Sequence, residues 1–216
     1  GSESQPGNGD FGPGHTFVAS AGDEGGGTSG GGGPEQPCTF AMVVCVGGTA
    51  LTQDASARGW NEVVWNNENI DQCGNHYSQP CGATGSACSN LVSKPAWQND
   101  VGCRMRSAAD ISAVAAVTTP LAVYHDRQWL TFGGTSAAAP IVAGMIGLAG
   151  NGKRANVNEL IWKHGGGKSL NDVVSGSNLY GNVTGLCASP VKYICVARRG
   201  YDGPTGWGTP NGIGAL

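Results

Sequence analysis

Charge is scarce in this sequence. Charged residues make up 12% of the 216 positions, about half the share of an ordinary soluble domain, and the formal net charge is −3. Such a composition builds no cationic patch for nucleic acid and no charged, disordered tail. Long apolar runs are missing as well. The longest, 137–150, is interrupted by Pro140, Gly144 and Gly147 and is shorter than the roughly 18 residues that spanning a membrane requires. No Cys-x-x-Cys pair occurs, and no histidine-rich cluster accompanies the cysteines, which argues against a zinc site.

Glycine, by contrast, supplies 38 positions, far above the usual share of about 7%. The apolar share of 39% suffices for a core at this length, which suits one large domain, residues 1–216. The eight cysteines fall into four close neighbours in sequence: 38 with 45, 73 with 81, 88 with 103, and 187 with 195. We read these as local disulfides by that neighbour rule, although eight cysteines allow 105 pairings. Disulfides persist in oxidising compartments, so the expected location is outside the cytosol, secreted. Asn182-Val183-Thr184 is a glycosylation sequon of a kind common by chance.

Residues 1–14 are polar and glycine-rich and do not read as the start of a domain. The β-branched stretch Thr16-Phe17-Val18-Ala19-Ser20 runs as a short strand into a turn at Ala21-Gly22-Asp23. Residues 25–33 read as a flexible surface loop. The apolar run 41–46 suits a strand buried on both faces, ended by Gly47-Gly48-Thr49. Residues 52–104 predict short strands and disulfide-stapled loops. A hairpin is expected around His125-Asp126-Arg127, a small-residue helix over about 135–148, and a second helix from Asn156, its candidate N-cap, to about His164. Buried strands alternating with helices imply an α/β fold with a parallel sheet and flanking helices on both faces.

The segment Gly133-Gly134-Thr135-Ser136-Ala137-Ala138-Ala139-Pro140 carries the chemistry. A serine at a glycine turn, opening a helix, lies where free N–H groups and the positive end of the dipole stabilise a developing oxyanion. Read alone, Ser136 is as well explained as a helix cap, and Asp23 as an ordinary turn aspartate.

The segments resemble, in order along nearly the whole chain, those of the sedolisin family of serine-carboxyl peptidases, which share a subtilisin-like fold. Gly134-Thr135-Ser136 resembles the nucleophile motif. Phe17-Val18-Ala19-Ser20-Ala21-Gly22-Asp23 resembles the oxyanion-hole motif, with aspartate where subtilisins carry asparagine. Val44-Cys45-Val46-Gly47-Gly48-Thr49, Pro95-Ala96-Trp97-Gln98, Ala109-Asp110-Ile111-Ser112 and Thr205-Gly206-Trp207-Gly208-Thr209-Pro210-Asn211-Gly212 resemble further family segments. The glycine-rich 82–88 matches a segment that lines one wall of the cleft.

The resemblance implies roles. Ser136 is the expected nucleophile toward a polypeptide substrate, and Asp23 the expected oxyanion ligand. An aspartate donates a hydrogen bond only while protonated, which favours acid pH. The family also binds one Ca²⁺. Carried over, its ligands are Asp172, Val173, Arg198, Gly200 and Asp202, with Val173, Arg198 and Gly200 contributing carbonyl oxygens.

One element of the family pattern has no counterpart. Sedolisins place a glutamate base and an orienting aspartate, spaced Glu-x-x-x-Asp on a helix, upstream of the oxyanion aspartate. Only Glu3 and Asp10 precede Asp23 here, and their spacing differs. The resemblance implies that the first strands and the base-bearing helix lie outside this chain. Three readings stay open: a separate N-terminal chain of the same precursor, a shortened polypeptide, or an extracellular binding or structural relative that no longer cleaves. His15, His76, His125 and His164 sit in no subtilisin-like histidine motif and read as surface or turn residues.

Overall fold

The eleven-residue stretch Val43–Gln53 is the axis of the molecule, because its first half is apolar without interruption and has neighbours on both edges. The computed structural model describes residues 11–26, 36–67, 82–154, 156–179, 187 and 191–216. In chain order the strands are β1 (Phe17–Ser20), β2 (Glu24–Gly26), β3 (Val43–Gln53), β4 (Trp60–Val64), β5 (Ala83–Ser93), β6 (Met105–Ala108), β7 (Ile111–Val114), β8 (Leu121–His125), β9 (Gln128–Phe132), β10 (Leu170–Asn171) and β11 (Thr209–Pro210). The helices are α1 (Thr135–Leu148) and α2 (Val157–His164).

β1 and β7 run parallel to β3, with Phe17 opposite Val43 and Val46 opposite Ile111. The far half of β3 pairs antiparallel with β4. The glycines at 47 and 48 therefore do not end the strand, contrary to the sequence expectation. A Cβ at Gly48 would press on Ala115 and Trp65, so glycine there lets a strand and a buried indole approach without breaking the ladder.

Alternation along β3 divides the core. Val44 and Val46 pack with Ile111 and Ala113 of β7, with Ala138, Val142 and Ile146 of α1, and with Val157 and Ile161 of α2. Val43 and Cys45, pointing the other way, pack with Ala19, Cys38, Phe40 and Ala108. Among the described residues both helices thus share one apolar cluster. Among the described residues the opposite face is covered by a loop stapled through Cys38–Cys45. The disulfides Cys88–Cys103 and Cys187–Cys195 are formed as the neighbour rule predicts. Cys73, Cys81, the sequon at 182–184, His76, Glu3 and Asp10 lie outside the described residues.

A second sheet joins β2, β5 and β6. β5 is one long strand where short ones are predicted, and residues 83–88 of the expected cleft-wall segment run along β2 and β6. β8 and β9 form the predicted hairpin. Asp126 (φ 47°) and Arg127 (φ 65°) take the two left-handed positions that match the twist of a tight two-residue turn.

α1 covers the predicted residues, and α2 runs from the predicted N-cap, Asn156, to His164. Asn156 holds the N-cap position of α2 with a left-handed backbone, but its side chain makes no capping bond.

Candidate active site

All three parallel strands point the same way, and the chemistry-bearing residues gather beyond their C-terminal ends. β1 ends at Ser20, and the turn that follows is tied down by Ala21 N–H donating to Val46 O at 2.9 Å. Gly22 O and Asp23 O then accept from Gly85 and Ala83 of β5 at 2.8 and 3.0 Å. On the other side, the chain leaving β9 is fixed where Gly134 N–H donates to Ala115 O at 2.6 Å, just beyond β7. Asp23 and Ser136 are thereby set by different strands of a rigid layer.

Gly134 is the N-cap of α1, with φ 84°, and Thr135 and Ser136 are its first two residues. Ser136 is therefore not the cap, which removes the plain alternative for this serine. The capping donor–acceptor pair is supplied from far away in sequence. Asp23 Oδ1 accepts from Thr135 N–H and from Thr135 Oγ1, each at 2.7 Å. Thr135 Oγ1 accepts in turn from Gly22 N–H at 3.1 Å. A carboxylate at a helix N-terminus is favoured by the free N–H groups and the dipole. Asp23 Oδ2 lies against Gly134, where any Cβ would overlap it.

With Oδ1 taken by two donors, Oδ2 is the oxygen left for a further hydrogen bond. The sequence motif gives Thr135 no role of its own, and only its neighbours Gly134 and Ser136 signal it. Ser136 is exposed at the mouth of a slot of about 500 Å³ between the hairpin and α1. Leu121, Val123 and Phe132 line one side of that slot, and Pro140 and Ile141 the other.

No described residue accepts a hydrogen bond from Ser136. His125 is exposed and pairs with Asp126 at 3.3 Å, and His164 ends α2, so neither histidine is placed as a base. α1 is apolar on every side, yet Pro140, Ala143, Gly144, Gly147 and Leu148 lie exposed, Leu148 at 79%. A Cβ at Gly144 or Gly147 would meet nothing within 4 Å. Helices of this kind ordinarily pack inside a protein.

Four of the five predicted cation ligands are linked in pairs by hydrogen bonds. Gly200 N–H donates to Asp172 Oδ2 at 2.9 Å, and Arg198 N–H donates to Asp202 Oδ2 at 3.1 Å. Thr205 donates to Asp202 Oδ1 through its N–H and hydroxyl, at 2.9 and 2.8 Å. Asp202 is wholly buried, and its pKa is pushed up to about 7, chiefly by burial, with the nearby Asp172 charge adding to it. The Arg198 guanidinium does not neutralise the pair. It lies over the Tyr193 ring at 4.4 Å and donates to Tyr201 O at 2.9 Å. Val173 is buried beside them. Two carboxylates without a cationic partner among the described residues, each accepting from a backbone N–H of the loop, supply oxygens of the type a hard cation prefers.

A network of buried charge holds the layers together, and sequence reasoning passed over it. Asp110 Oδ2 accepts from Arg106 Nη2 at 2.6 Å and from Cys45 N–H at 2.9 Å, while Oδ1 accepts from Trp162 Nε1 at 2.8 Å. Asp110 thus joins β3, β7 and α2, and both Arg106 and Asp110 are fully buried.

The comparisons with known proteins agree with this geometry. The model of the subtilase family matches residues 4–164. Sedolisin of Pseudomonas sp. (strain 101) is 34% identical over 214 residues, covering 91% of this chain and 33% of its own length. Kumamolisin of Bacillus sp. (strain MN-32) is 28% identical over 199 residues, covering 83% of this chain and 31% of its own length. The solved structure of Pseudomonas sedolisin, a serine-carboxyl proteinase complexed with two molecules of pseudo-iodotyrostatin, superposes with a TM-score of 0.72 at 31% identity. That match covers 91% of this chain and 53% of the solved one. The chain spans about a third of the length of the curated relatives it matches. With a subtilisin-like layer, a serine opening the helix after the hairpin, and an aspartate held at that helix's N-terminus, the chain belongs to the subtilase family of serine peptidases, on its sedolisin branch.

Proposed function

We propose that this chain is the C-terminal catalytic part of a secreted serine-carboxyl peptidase, and that Ser136 attacks the peptide carbonyl of a polypeptide substrate to form an acyl-enzyme. The observation that carries this reading is the placement of Asp23 at the N-terminus of the helix that Ser136 opens. Asp23 Oδ2, protonated, donates a hydrogen bond to the oxyanion of the tetrahedral intermediate. A carboxyl donates only while protonated, which favours activity at acid pH.

A serine hydroxyl is a weak nucleophile until a base accepts its proton. We assign that base to an upstream polypeptide of the same precursor, carrying the Glu-x-x-x-Asp pair. Support comes from the exposed apolar face of α1, next to Ser136, which such a segment would cover. Loss of a triad member costs several orders of magnitude. The 216-residue chain by itself is therefore expected to show little or no peptide hydrolysis. Robust turnover at acid pH by a verified single chain, abolished by Ser136→Ala, would contradict the need for a separate base. A non-catalytic extracellular binding protein is the second reading, favoured by the absence of any described acceptor for the Ser136 proton. Labelling of Ser136 by a serine-directed phosphonate, in the presence of the upstream polypeptide, separates the two.

We further propose that Asp172, Asp202 and the carbonyls of Val173, Arg198 and Gly200 hold one Ca²⁺. Its part is structural: it would neutralise the buried Asp202 and the exposed Asp172 carboxylates and fix the loop 198–202 against residues 172 and 173. The three disulfides among the described residues support an oxidising, extracellular location.

A further inference from the structure

Three of the six tryptophans in the sequence, Trp97, Trp162 and Trp207, line one open cleft of about 460 Å³. This cleft shares no lining residue with the slot beside Ser136. Its rim carries Asn99, Glu159 and Lys163, all exposed.

Each indole is held in place from behind. The Arg106 guanidinium lies over the Trp97 ring at 5.5 Å, and the next residue, Gln98, is locked by two 2.8 Å hydrogen bonds to the backbone of Ser107. Trp162 donates to the buried Asp110 and stands perpendicular to Trp207, with ring centroids 5.6 Å apart. Trp207 lies flat on Gly165, where a Cβ would overlap the indole. The aromatic walls therefore cannot fold inward and close the cleft, and a ligand meets a preformed surface.

Two features say what that ligand is. The rim offers one amide, one carboxylate and one ammonium, so the charges of Glu159 and Lys163 cancel and neither an anion nor a cation is selected. What remains is a set of donors and acceptors suited to neutral hydroxyl groups. The walls are π-faces, whose negative quadrupole attracts weakly positive C–H groups such as those on the faces of a sugar ring.

We propose that this cleft is a binding site for a neutral pyranose oligosaccharide, separate from the peptidase centre. The proposal is independent of any catalytic activity, since it uses neither Ser136 nor Asp23.

The test is titration of the intact chain, by tryptophan fluorescence and calorimetry, with neutral hexasaccharides of glucose, mannose and N-acetylglucosamine, and with tetramethylammonium. Saturable one-to-one binding of at least one sugar is expected, weakened about tenfold or more by Trp97→Ala and by Asn99→Ala. Asn99 is exposed, so its variant keeps the fold even if Trp97→Ala does not. Trp129→Ala, an exposed indole on the hairpin, should leave the affinity unchanged. The proposal is overturned if no sugar saturates below about 10 mM, if Asn99→Ala leaves a bound sugar's affinity unaltered, or if tetramethylammonium binds tighter than every sugar.

Discussion

The Asp23 carboxylate accepts both donors of Thr135, the main-chain N–H and the hydroxyl, each at 2.7 Å. Through this pair the turn after β1 is latched to the N-terminus of α1, and the same Thr135 hydroxyl accepts from Gly22 N–H. Thr135→Val leaves Gly22 N–H without its acceptor and removes one donor from Asp23. A loss of about 1–3 kcal/mol is expected in urea unfolding. Thr135→Ser should recover most of it, and unchanged stability in the valine variant would show that the latch is idle.

Gly134 serves this latch by having no side chain. Its φ is 84°, which a β-carbon disfavours, and a Cβ would overlap Asp23 Oδ2. Gly134→Ala should cost about 1–3 kcal/mol through backbone strain alone and push Asp23 out of place as well. Thermal unfolding measures the first effect. Loss of phosphonate labelling at Ser136, in the assembled protein, measures the second.

If Asp172 and Asp202 share a Ca²⁺, the ion binds the folded chain and not the unfolded one. At a hundredfold excess over its Kd it should add about 2.7 kcal/mol of stability, lost on chelation. Asp202→Asn should abolish the calcium-dependent rise in Tm. A Tm that ignores both calcium and chelator would remove the cation from the account.

Two phenols set the behaviour in alkali. Burial, and then the hydrogen bond to Asp100 and its charge, raise the pKa of Tyr193 above the ordinary 10.0. Burial, followed by the charge of Asp100, raises that of Tyr201. A raised folded-state value means that the native state favours the neutral phenol. The resulting stability is whole below pH 10 and is lost as pH rises through the folded values. Of the five tyrosines, these two should ionise only as the protein unfolds, seen as tyrosinate absorbance tracking the loss of circular dichroism. Ionisation of all five with the native spectrum intact would contradict this.

Much of this architecture could be read from local pattern. α1 was legible because its small-residue run is bounded by Gly133-Gly134 and closed by a polar stretch, and the hairpin because its strands flank a polar turn. β3 was misread at Gly47-Gly48 because glycine signals a break locally, whereas here it answers to the bulk of Trp65 and Ala115 arriving from elsewhere. The same limit hid Thr135. Its partner Asp23 is 112 residues away, and nothing in its immediate neighbours distinguishes a latch from a motif spacer. Arg106 and Asp110 stand only four residues apart, yet nothing local marks them as a buried pair. Their complete burial depends on β3, β7 and α2 closing over them, which no local window contains.

The central claim is that Ser136, aided by Asp23, is the nucleophile of an acid peptidase completed by an upstream polypeptide. The most direct measurement is mass spectrometry of the site trapped by a serine-directed phosphonate across pH, with the upstream polypeptide present and absent. The account predicts one adduct, on Ser136, formed only when that polypeptide is present, favoured at acid pH, and sharply reduced by Asp23→Ala. An adduct on any other residue, or none on Ser136 in the complete assembly, would contradict it.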